Sequence, residues 1–311
     1  RGAKGGRSPS SQITSTDGTR SSGGCMHRLT GILLILISAM AFGAMTALAP
    51  LAYGAGTSPS TLLFLRFTLS GLVLAAYMVL RKIRFPKGRV LLALVLMGGV
   101  WYFCQSLAYF TALTMASASL VALLLYLYPV VVALMAAAVY REPLTRPRVV
   151  ALGLALAGTA LTIGPGGGGE TLGIVLALGA ALIYAGYIVV GGKVMEQAEA
   201  IPATAVIMLA AALSFGSLGI VEGMQFPQST GGWQAIVAIA ACSIIALGGF
   251  FAGLKRIGPA NAAILSTVEP LVAVGLAALL LNERLAPIQF VGGLCILIAV
   301  VFLARDDFVR T

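Results

Sequence analysis

The chain has 311 residues, of which 59% are hydrophobic and only 10% are charged. A soluble domain carries about 25% charged residues, so the composition excludes an ordinary soluble protein. The net charge of +10 is that expected of a membrane protein with basic cytoplasmic loops, and we predict no nucleic-acid partner.

The N-terminal stretch is polar and rich in Gly and Ser, unlike the remainder of the chain. Residues 1–27 are expected to be a disordered or vector-derived tail, with Met26 as the native start. Cys25 lies in this tail, and the other three cysteines each stand alone in an apolar segment. No spacing resembles a metal site or a disulfide framework, so we predict no metal and no cofactor.

Apolar runs of about 18 or more residues recur along the rest of the chain, and each is long enough to cross a bilayer. Their apolar spacing is helical, which predicts an all-α polytopic membrane protein with ten transmembrane helices. The approximate spans are 29–50, 59–80, 90–112, 117–139, 147–164, 171–191, 202–221, 233–254, 259–281 and 287–304.

The distribution of Lys and Arg predicts the orientation of these spans. With a cytoplasmic N-terminus, fourteen basic residues fall inside and only Arg284 falls outside. The positive-inside rule then places both termini in the cytoplasm, including a C-terminal tail of residues 306–311. The fourteen are Arg28, Arg81, Lys82, Arg84, Lys87, Arg89, Arg141, Arg146, Arg148, Lys193, Lys255, Arg256, Arg305 and Arg310.

The third span contains the sequence VWYFCQSLAYF. Trp101 and Gln105 fall one helical turn apart, whereas Tyr102 and Tyr109 are expected on another face. A Trp in mid-span lies outside the interfacial belt, and its indole N–H and the Gln amide both need partners. The pattern predicts either a cavity face that binds a small planar solute or a helix–helix contact.

An internal repeat relates the two halves of the chain. Residues 113–144 and 254–285 align at an offset of 141 residues with nine identical positions. Apolar identities are common in such a composition, but a proline and a glutamate thirteen residues apart in both segments are not. The matched pairs include Pro129 with Pro270, Glu142 with Glu283 and, at an offset one residue longer, Phe42 with Tyr184.

The repeat predicts two five-helix halves, residues 28–164 and 171–305, joined by a Gly-rich linker at 165–170. Because five is odd, the second half must enter the membrane inverted. Inverted repeats of this kind are typical of secondary transporters, which bind substrate near the midplane between the halves.

Glu269 lies near the centre of the ninth predicted span, directly before Pro270. A charged carboxylate there costs about 2.5–3.5 kcal/mol on insertion scales. Three roles remain open: contact with a substrate ammonium group or part in proton coupling, an ion pair with Arg66, or a protonated carboxyl bonded to kinked backbone. Arg66 is the only basic residue in the interior of a span, away from its ends, and we expect it to be structural or part of a gate.

The prolines indicate where the substrate chamber lies. The repeat mate of Glu269 is Tyr128, so each half has a polar-tipped side chain directly before Pro129 or Pro270. A proline frees a backbone carbonyl, which is tolerated at membrane depth only where the backbone lines a cavity or is buried in protein. The predicted substrate contacts are Glu269, Tyr128, Trp101, Gln105, Tyr102, Phe42, Tyr184, Ser266 and Asn261.

Glu142 and Glu283 lie just past their helices, before the next helix begins. A carboxylate there accepts hydrogen bonds from exposed amides at a helix start, with a favourable dipole interaction. We predict that both lock turns and that neither binds substrate.

The ten spans, the duplicated halves and the proline followed thirteen residues later by Glu-x-Leu resemble the drug/metabolite transporter superfamily, specifically its EamA-type exporters. The resemblance covers about residues 28–305. SAMAFGAMTALAP at 38–50 is similar to the first-helix pattern, although Phe42 stands where a Trp is common. LRF at 65–67 also fits the second helix.

The resemblance implies a bacterial inner-membrane exporter of amino acids, including aromatic ones, or of similar small metabolites, working by alternating access. No nucleotide-binding motif occurs, so the solute gradient or protons would drive transport. The alternatives are efflux of cationic or amphipathic drugs and, more remotely, a non-transporting scaffold. An intramembrane enzyme is not expected, since the only histidine, His27, precedes the first span. The sequence does not indicate an oligomeric state.

Overall fold

The computed structural model describes residues 2, 18–132, 135, 146–163, 169–266, 268–282 and 286–310. The predicted turn residues Glu142 and Glu283 lie outside these residues, as does the side chain of Asn261. Most of the predicted linker is also outside them.

The described residues form helices and connections, without a strand among them. The helices of the first half are α1 (Gly18–Gly54), α2 (Pro59–Leu80), α3 (Gly88–Met115), α4 (Ala118–Val132) and α5 (Arg146–Ile163). Those of the second half are α6 (Thr171–Met195), α7 (Ala200–Glu222), α8 (Thr230–Leu265), α9 (Val268–Leu281) and α10 (Pro287–Arg310).

Six of the described helices are long and apolar enough to cross a membrane, namely α1 from Arg28, α2, α3, α6, α7 and α8 as far as Ile257. Three shorter apolar helices are Ala118–Val132, Val268–Leu281 and Pro287–Ala299. The chain is therefore an all-helical polytopic membrane protein.

Several helix ends differ from the hydropathy-based spans, among them the start of α9 at Val268 and the end of α10 at Arg310, and the two largest extensions are in α1 and α8. Helix α1 already begins at Gly18, inside the segment predicted to be a tail, and α8 continues to Leu265 instead of ending near residue 254. The helix break in this region falls at Ser266, three residues before Glu269. Because the backbone bonds of a helix are internal, it can continue through polar surroundings, and hydropathy alone does not fix its end.

Helix packing brings the two halves together. The main contacts pair α1 with α8, α3 with α6, α2 with α7, and α5 with α10, while α9 packs on α1. Hydroxyls on one helix bond to carbonyls on another: Ser38 Oγ donates to Ala246 O at 2.6 Å and Ser70 Oγ to Ala240 O at 2.9 Å. Such polar contacts hold helices together where lipid supplies no hydrophobic driving force.

Helix α1 carries a row of small residues, and one of them, Gly43, lies directly against α9. Ala39, Gly43 and Ala47, spaced four residues apart, are all buried. A Cβ atom on Gly43 would lie 2.6 Å from the carbonyl oxygen of Glu269. Only a residue without a side chain fits there, so Gly43 fixes the start of α9 against α1.

Helix α3 contains a π-helical segment, Met97–Tyr102. Ser214 on α7 donates its hydroxyl to the carbonyl of Gly99 in this segment at 2.7 Å. A Cβ on Gly98 would collide with the backbone of Ile207, so the absence of a side chain allows α3 to lie directly on α7. Single π-helical turns of this kind often occur at functional sites.

Candidate functional site

A cavity with a volume of about 30 Å³ lies inside the bundle. This volume holds roughly one or two water molecules, whereas small-molecule sites measure about 300–1,000 Å³, so a solute would fit here only after the helices move apart. Helices α1, α2, α3, α4, α6 and α9 all contribute to its wall. The lining residues are Phe42, Met45, Thr46, Arg66, Tyr102, Gln105, Tyr109, Phe110, Leu125, Tyr184 and Glu269.

Glu269 is the only carboxylate among these lining residues, and it lies in the first turn of α9 with 7% of its surface exposed. The hydroxyl of Tyr126 donates to Glu269 Oε2 at 3.1 Å and also bonds to the carbonyl oxygen of Ser266. Tyr126 is itself buried, in a turn that interrupts α4. One phenol therefore holds both the carboxylate and the backbone in front of it.

Pro270 explains why the carbonyl of Ser266 is available. In a regular helix this oxygen would accept a bond from the N–H of residue 270, which proline lacks. Ser266 O instead accepts from Glu269 N at 2.9 Å and from the Tyr126 hydroxyl. The break in α4 at Tyr126 also lies just before a proline, Pro129, three residues further along the chain. Because Tyr126 bonds to Ser266, the interruptions of the two halves meet beside the cavity.

Arg66 is almost fully buried, with 2% of its surface exposed. Its Nε donates to Ser243 Oγ at 2.6 Å and its Nη2 to the Tyr102 hydroxyl at 3.2 Å. Its Cζ lies 4.5 Å from the centroid of the Phe67 ring and 5.0 Å from that of Phe110. These hydrogen bonds and ring faces are what a buried guanidinium requires.

Arg66 and Glu269 both line the cavity, but no ion pair joins them in the described part of the chain. The structure therefore does not contain the Arg66–Glu269 pair that was one of three roles considered for the glutamate. Each charge is held by hydroxyl groups instead. One carboxyl and one guanidinium group thus line the same cavity with separate partners.

Aromatic rings form most of the remaining wall. Tyr102 stacks on Tyr187 with centroids 5.3 Å apart, and Tyr184 meets Tyr128 edge to face at 4.8 Å. The hydroxyls of Tyr109 and Thr46 lie 2.7 Å apart in a hydrogen bond between α3 and α1. The wall is therefore apolar but carries hydroxyl groups at defined positions.

Six of the residues singled out from the sequence line the cavity. They are Glu269, Gln105, Tyr102, Phe42, Tyr184 and Arg66. The repeat pair Phe42 and Tyr184 thus meets at one cavity, as an alignment of the two halves leads one to expect.

Three other predicted contacts are placed elsewhere. Trp101 donates its indole N–H to Ile183 O at 2.7 Å and packs on α6 at Gly186, so its partner is a helix. Tyr128 is buried behind Tyr184, and Ser266 donates its hydroxyl to Ala262 O of its own helix at 2.8 Å.

The face of α3 that lines the cavity is Tyr102, Gln105 and Tyr109, which are spaced three and four residues apart. The expectation that Gln105 shares the face of Trp101, apart from the two tyrosines, is wrong for this cavity. Both groupings are compatible with helical geometry, and the packing of Trp101 on α6 selects one of them.

Tyr126, Thr46 and Ser243 are the polar site residues that sequence reasoning missed. Thr46 lies one turn after Phe42 and shares its face, so helical spacing alone could have found it. Tyr126 and Ser243 carry no such signal, because their roles depend on partners 143 and 177 residues away.

In the described part of the chain, no group of three or more His, Cys, Asp or Glu side chains could hold a metal ion. The polar groups of the site are one carboxyl, one guanidinium, one amide and the hydroxyls of aromatic rings, and they lie inside a helical membrane bundle. These are features of a solute-binding membrane transporter.

The chain belongs to the EamA-like transporter family, whose model matches it twice, over residues 29–164 and 171–305. It is 27% identical over 278 residues to the uncharacterized transporter YcbK of Bacillus subtilis (strain 168), covering 84% of this chain and 88% of that protein. It is 30% identical over 177 residues to the uncharacterized transporter sll1319 of Synechocystis sp., which is 54% of this chain and 53% of that protein.

A solved crystal structure with 21% sequence identity superposes with a TM-score of 0.64, covering 89% of this chain and 97% of the other. This likeness shows a shared fold.

Proposed function

We propose that the protein is a secondary transporter of the bacterial inner membrane that exports amino acids, aromatic ones among them, or similar small metabolites. The observation that carries the proposal is that one cavity is lined both by a buried carboxyl group, that of Glu269, and by a buried guanidinium, that of Arg66, and that these two groups are not paired with each other. A zwitterionic solute carries the complementary charges, and the rings of the wall suit an apolar side chain.

In this proposal Glu269 accepts the ammonium group of the substrate, while Arg66 and the Tyr102 hydroxyl face its carboxylate. Tyr126 orients Glu269, and Gln105 supplies a further polar contact. The solute gradient or protons drive the cycle, and Glu269 is the residue that would carry a coupled proton.

The architecture we propose is ten spans arranged as two inverted halves, residues 28–164 and 171–305, with 165–170 as the linker and both termini cytoplasmic. In the two halves α1 corresponds to α6, α2 to α7, α3 to α8 and α5 to α10. Exchanging corresponding helices turns the α1–α8 contact into the α6–α3 contact and leaves the α2–α7 and α5–α10 contacts unchanged. This symmetry of the contacts supports the proposed arrangement. Hydrogen bonds follow the same exchange: Ser70 on α2 bonds to α8 and Ser214 on α7 bonds to α3. Pro129 and Pro270, beside the two helix breaks, are the proposed gating points.

Counterflow in proteoliposomes loaded with unlabelled amino acids tests the proposal. We expect the protein to accumulate labelled amino acid, and Glu269→Gln to lose most of this exchange. A hydrogen bond to a charged group is worth about 1.5–3 kcal/mol, so the loss in apparent affinity should be about 10- to 150-fold. Tyr126→Phe should lose a smaller part, because it leaves the carboxylate in place without its donor.

The matched control is Glu199→Gln, which also removes one carboxylate but from an exposed residue outside the cavity. Its exchange should equal that of the unmodified protein. Equal exchange by Glu269→Gln and by the unmodified protein would show that transport does not require the carboxyl group of Glu269. Absence of counterflow for every amino acid and metabolite tested would favour the scaffold.

Efflux of cationic drugs is the second candidate, because a buried carboxylate among aromatic rings also suits a cation. The two candidates differ in their need for Arg66. Arg66→Gln should abolish exchange of a zwitterion while sparing exchange of a lipophilic cation such as labelled tetraphenylphosphonium. Exchange of the cation but of no amino acid by the unmodified protein would favour the efflux function.

A further inference from the structure

A second groove lies at the start of α3 and the end of α6, away from the central cavity. It has a volume of about 340 Å³, and two cationic side chains, one from each helix, line it. The lining residues are Arg89, Val90, Ala93, Lys193, Val194 and Gln197.

The two cations of this groove are exposed, and neither forms a salt bridge or a side-chain hydrogen bond with a described residue. Lys255, on the same side of the bundle, is instead paired with Glu199 at 2.7 Å. The groove therefore presents two positive charges whose donors are available to an anion.

The segment that precedes α3 adds to the positive potential around the groove. Four further basic residues lie within the eight residues before Arg89, and all are exposed. Lys87, the residue before α3, makes no side-chain cap, so the first-turn amides of that helix also favour an anion. The four basic residues are Arg81, Lys82, Arg84 and Lys87.

Apart from the two cations and Gln197, the groove is apolar, and exposed apolar residues continue from it along α3. Val90, Ala93 and Val194 line it beside the two cations. Further along α3, Leu92 and Leu96 are 60% and 53% exposed. A soluble anion would need only the charged end, whereas a lipid needs a charged end that continues into an apolar surface.

We propose that this groove binds the phosphate headgroup of an anionic phospholipid of the cytoplasmic leaflet, with the acyl chains along the exposed face of α3. The inference rests on the orientation given under the proposed function, in which this end of α3 and α6 faces the cytoplasm. Arg89 and Lys193 bind the phosphate from two sides, and Gln197 donates to a headgroup oxygen.

Native mass spectrometry of the full chain in detergent, titrated with phosphatidylglycerol or phosphatidylcholine, tests the proposal. Each cation at an anionic lipid is worth about fivefold in affinity. We expect Arg89→Gln and Lys193→Gln each to weaken phosphatidylglycerol binding about fivefold, and the double variant about 25-fold. Phosphatidylcholine, which has no net charge, should bind the unmodified protein no better than it binds the double variant.

Arg81→Gln is the matched control, because it removes one exposed charge from the same basic segment but does not line the groove. It should weaken binding clearly less than Arg89→Gln does, because it lowers the potential around the groove without removing a contact to the headgroup. A loss as large as that of Arg89→Gln would show diffuse attraction to the surface charge and overturn the site.

Competition with soluble glycerol phosphate separates the two sources of phosphate. Displacement of phosphatidylglycerol at equal concentrations would identify a soluble-anion site and overturn the lipid assignment. The assay measures binding without transport, so its failure and a failure of the counterflow experiment are independent results.

Discussion

Replacing Arg66 with lysine keeps the positive charge but removes the planar group that holds two hydroxyls. Nε bonds to Ser243 at 2.6 Å and Nη2 to Tyr102 at 3.2 Å, and these partners lie on α8 and α3. A lysine ammonium is a compact point charge that cannot reproduce this fork. One bond to a charged group is worth about 1.5–3 kcal/mol and a desolvated ring contact up to about 2 kcal/mol. Lysine retains part of the ring contact, so we expect the substitution to lower the free energy of unfolding by about 2–3 kcal/mol.

Thermal unfolding of the purified protein in detergent measures this loss. One kcal/mol lowers the midpoint by about 2–4 °C in domains of about 150–250 residues, so Arg66→Lys should lower it by about 4–12 °C. Arg256→Lys is the control, because Arg256 is exposed and bonds to Ala252 O within its own helix. Its midpoint should not change.

A double-mutant cycle with Tyr102→Phe isolates the bond between the two side chains. We expect Arg66→Lys and Tyr102→Phe to be non-additive by about 0.5–3 kcal/mol, because each removes the same interaction. An unchanged midpoint for Arg66→Lys, or full additivity in the cycle, would refute this account of how the guanidinium is held.

Two further substitutions test the packing around the cavity. Gly43→Ala places a methyl group 2.6 Å from Glu269 O, and we expect this overpacking to cost about 1–3 kcal/mol and to reduce amino-acid exchange. Gly275→Ala is the control, because a Cβ at Gly275 meets nothing within 4 Å, and it should change neither the stability nor the exchange. Equal losses of stability and exchange in the two variants would contradict the argument. Trp101→Phe removes the bond to Ile183 O and should cost about 0.5–1.5 kcal/mol of stability while leaving exchange intact. Lost exchange at unchanged thermal stability would instead place Trp101 in the transport pathway.

The sequence alone was enough to predict that Glu269 and the rings at 42 and 184 lie together beside a cavity. A carboxylate inside an apolar run has a large solvation cost, so its position alone predicts a buried, partnered site. The repeat offset pairs Phe42 with Tyr184, and both lie at the cavity. These signals are local or periodic, and no knowledge of helix packing is needed to find them.

The partners of the charged groups did not follow from the sequence. Arg66 was a candidate partner for Glu269, but it bonds to Ser243 and Tyr102, while Tyr126 holds the glutamate. Any of several hydroxyls in the spans would satisfy a buried charge equally well. Which one does so depends on the distance between helices that are far apart in the chain.

The sequence by itself determined that this is a helical membrane protein with an internal repeat, because solvation cost and apolar run length depend only on composition along the chain. Only the tertiary structure decided which side of each helix faces the cavity, which placed Tyr102, Gln105 and Tyr109 there and turned Trp101 toward α6. In a soluble protein the polar face of a helix reveals its rotation. In a membrane the lipid-facing and core-facing sides are both apolar, so the rotation is set by close contacts such as those at Gly43 and Gly186.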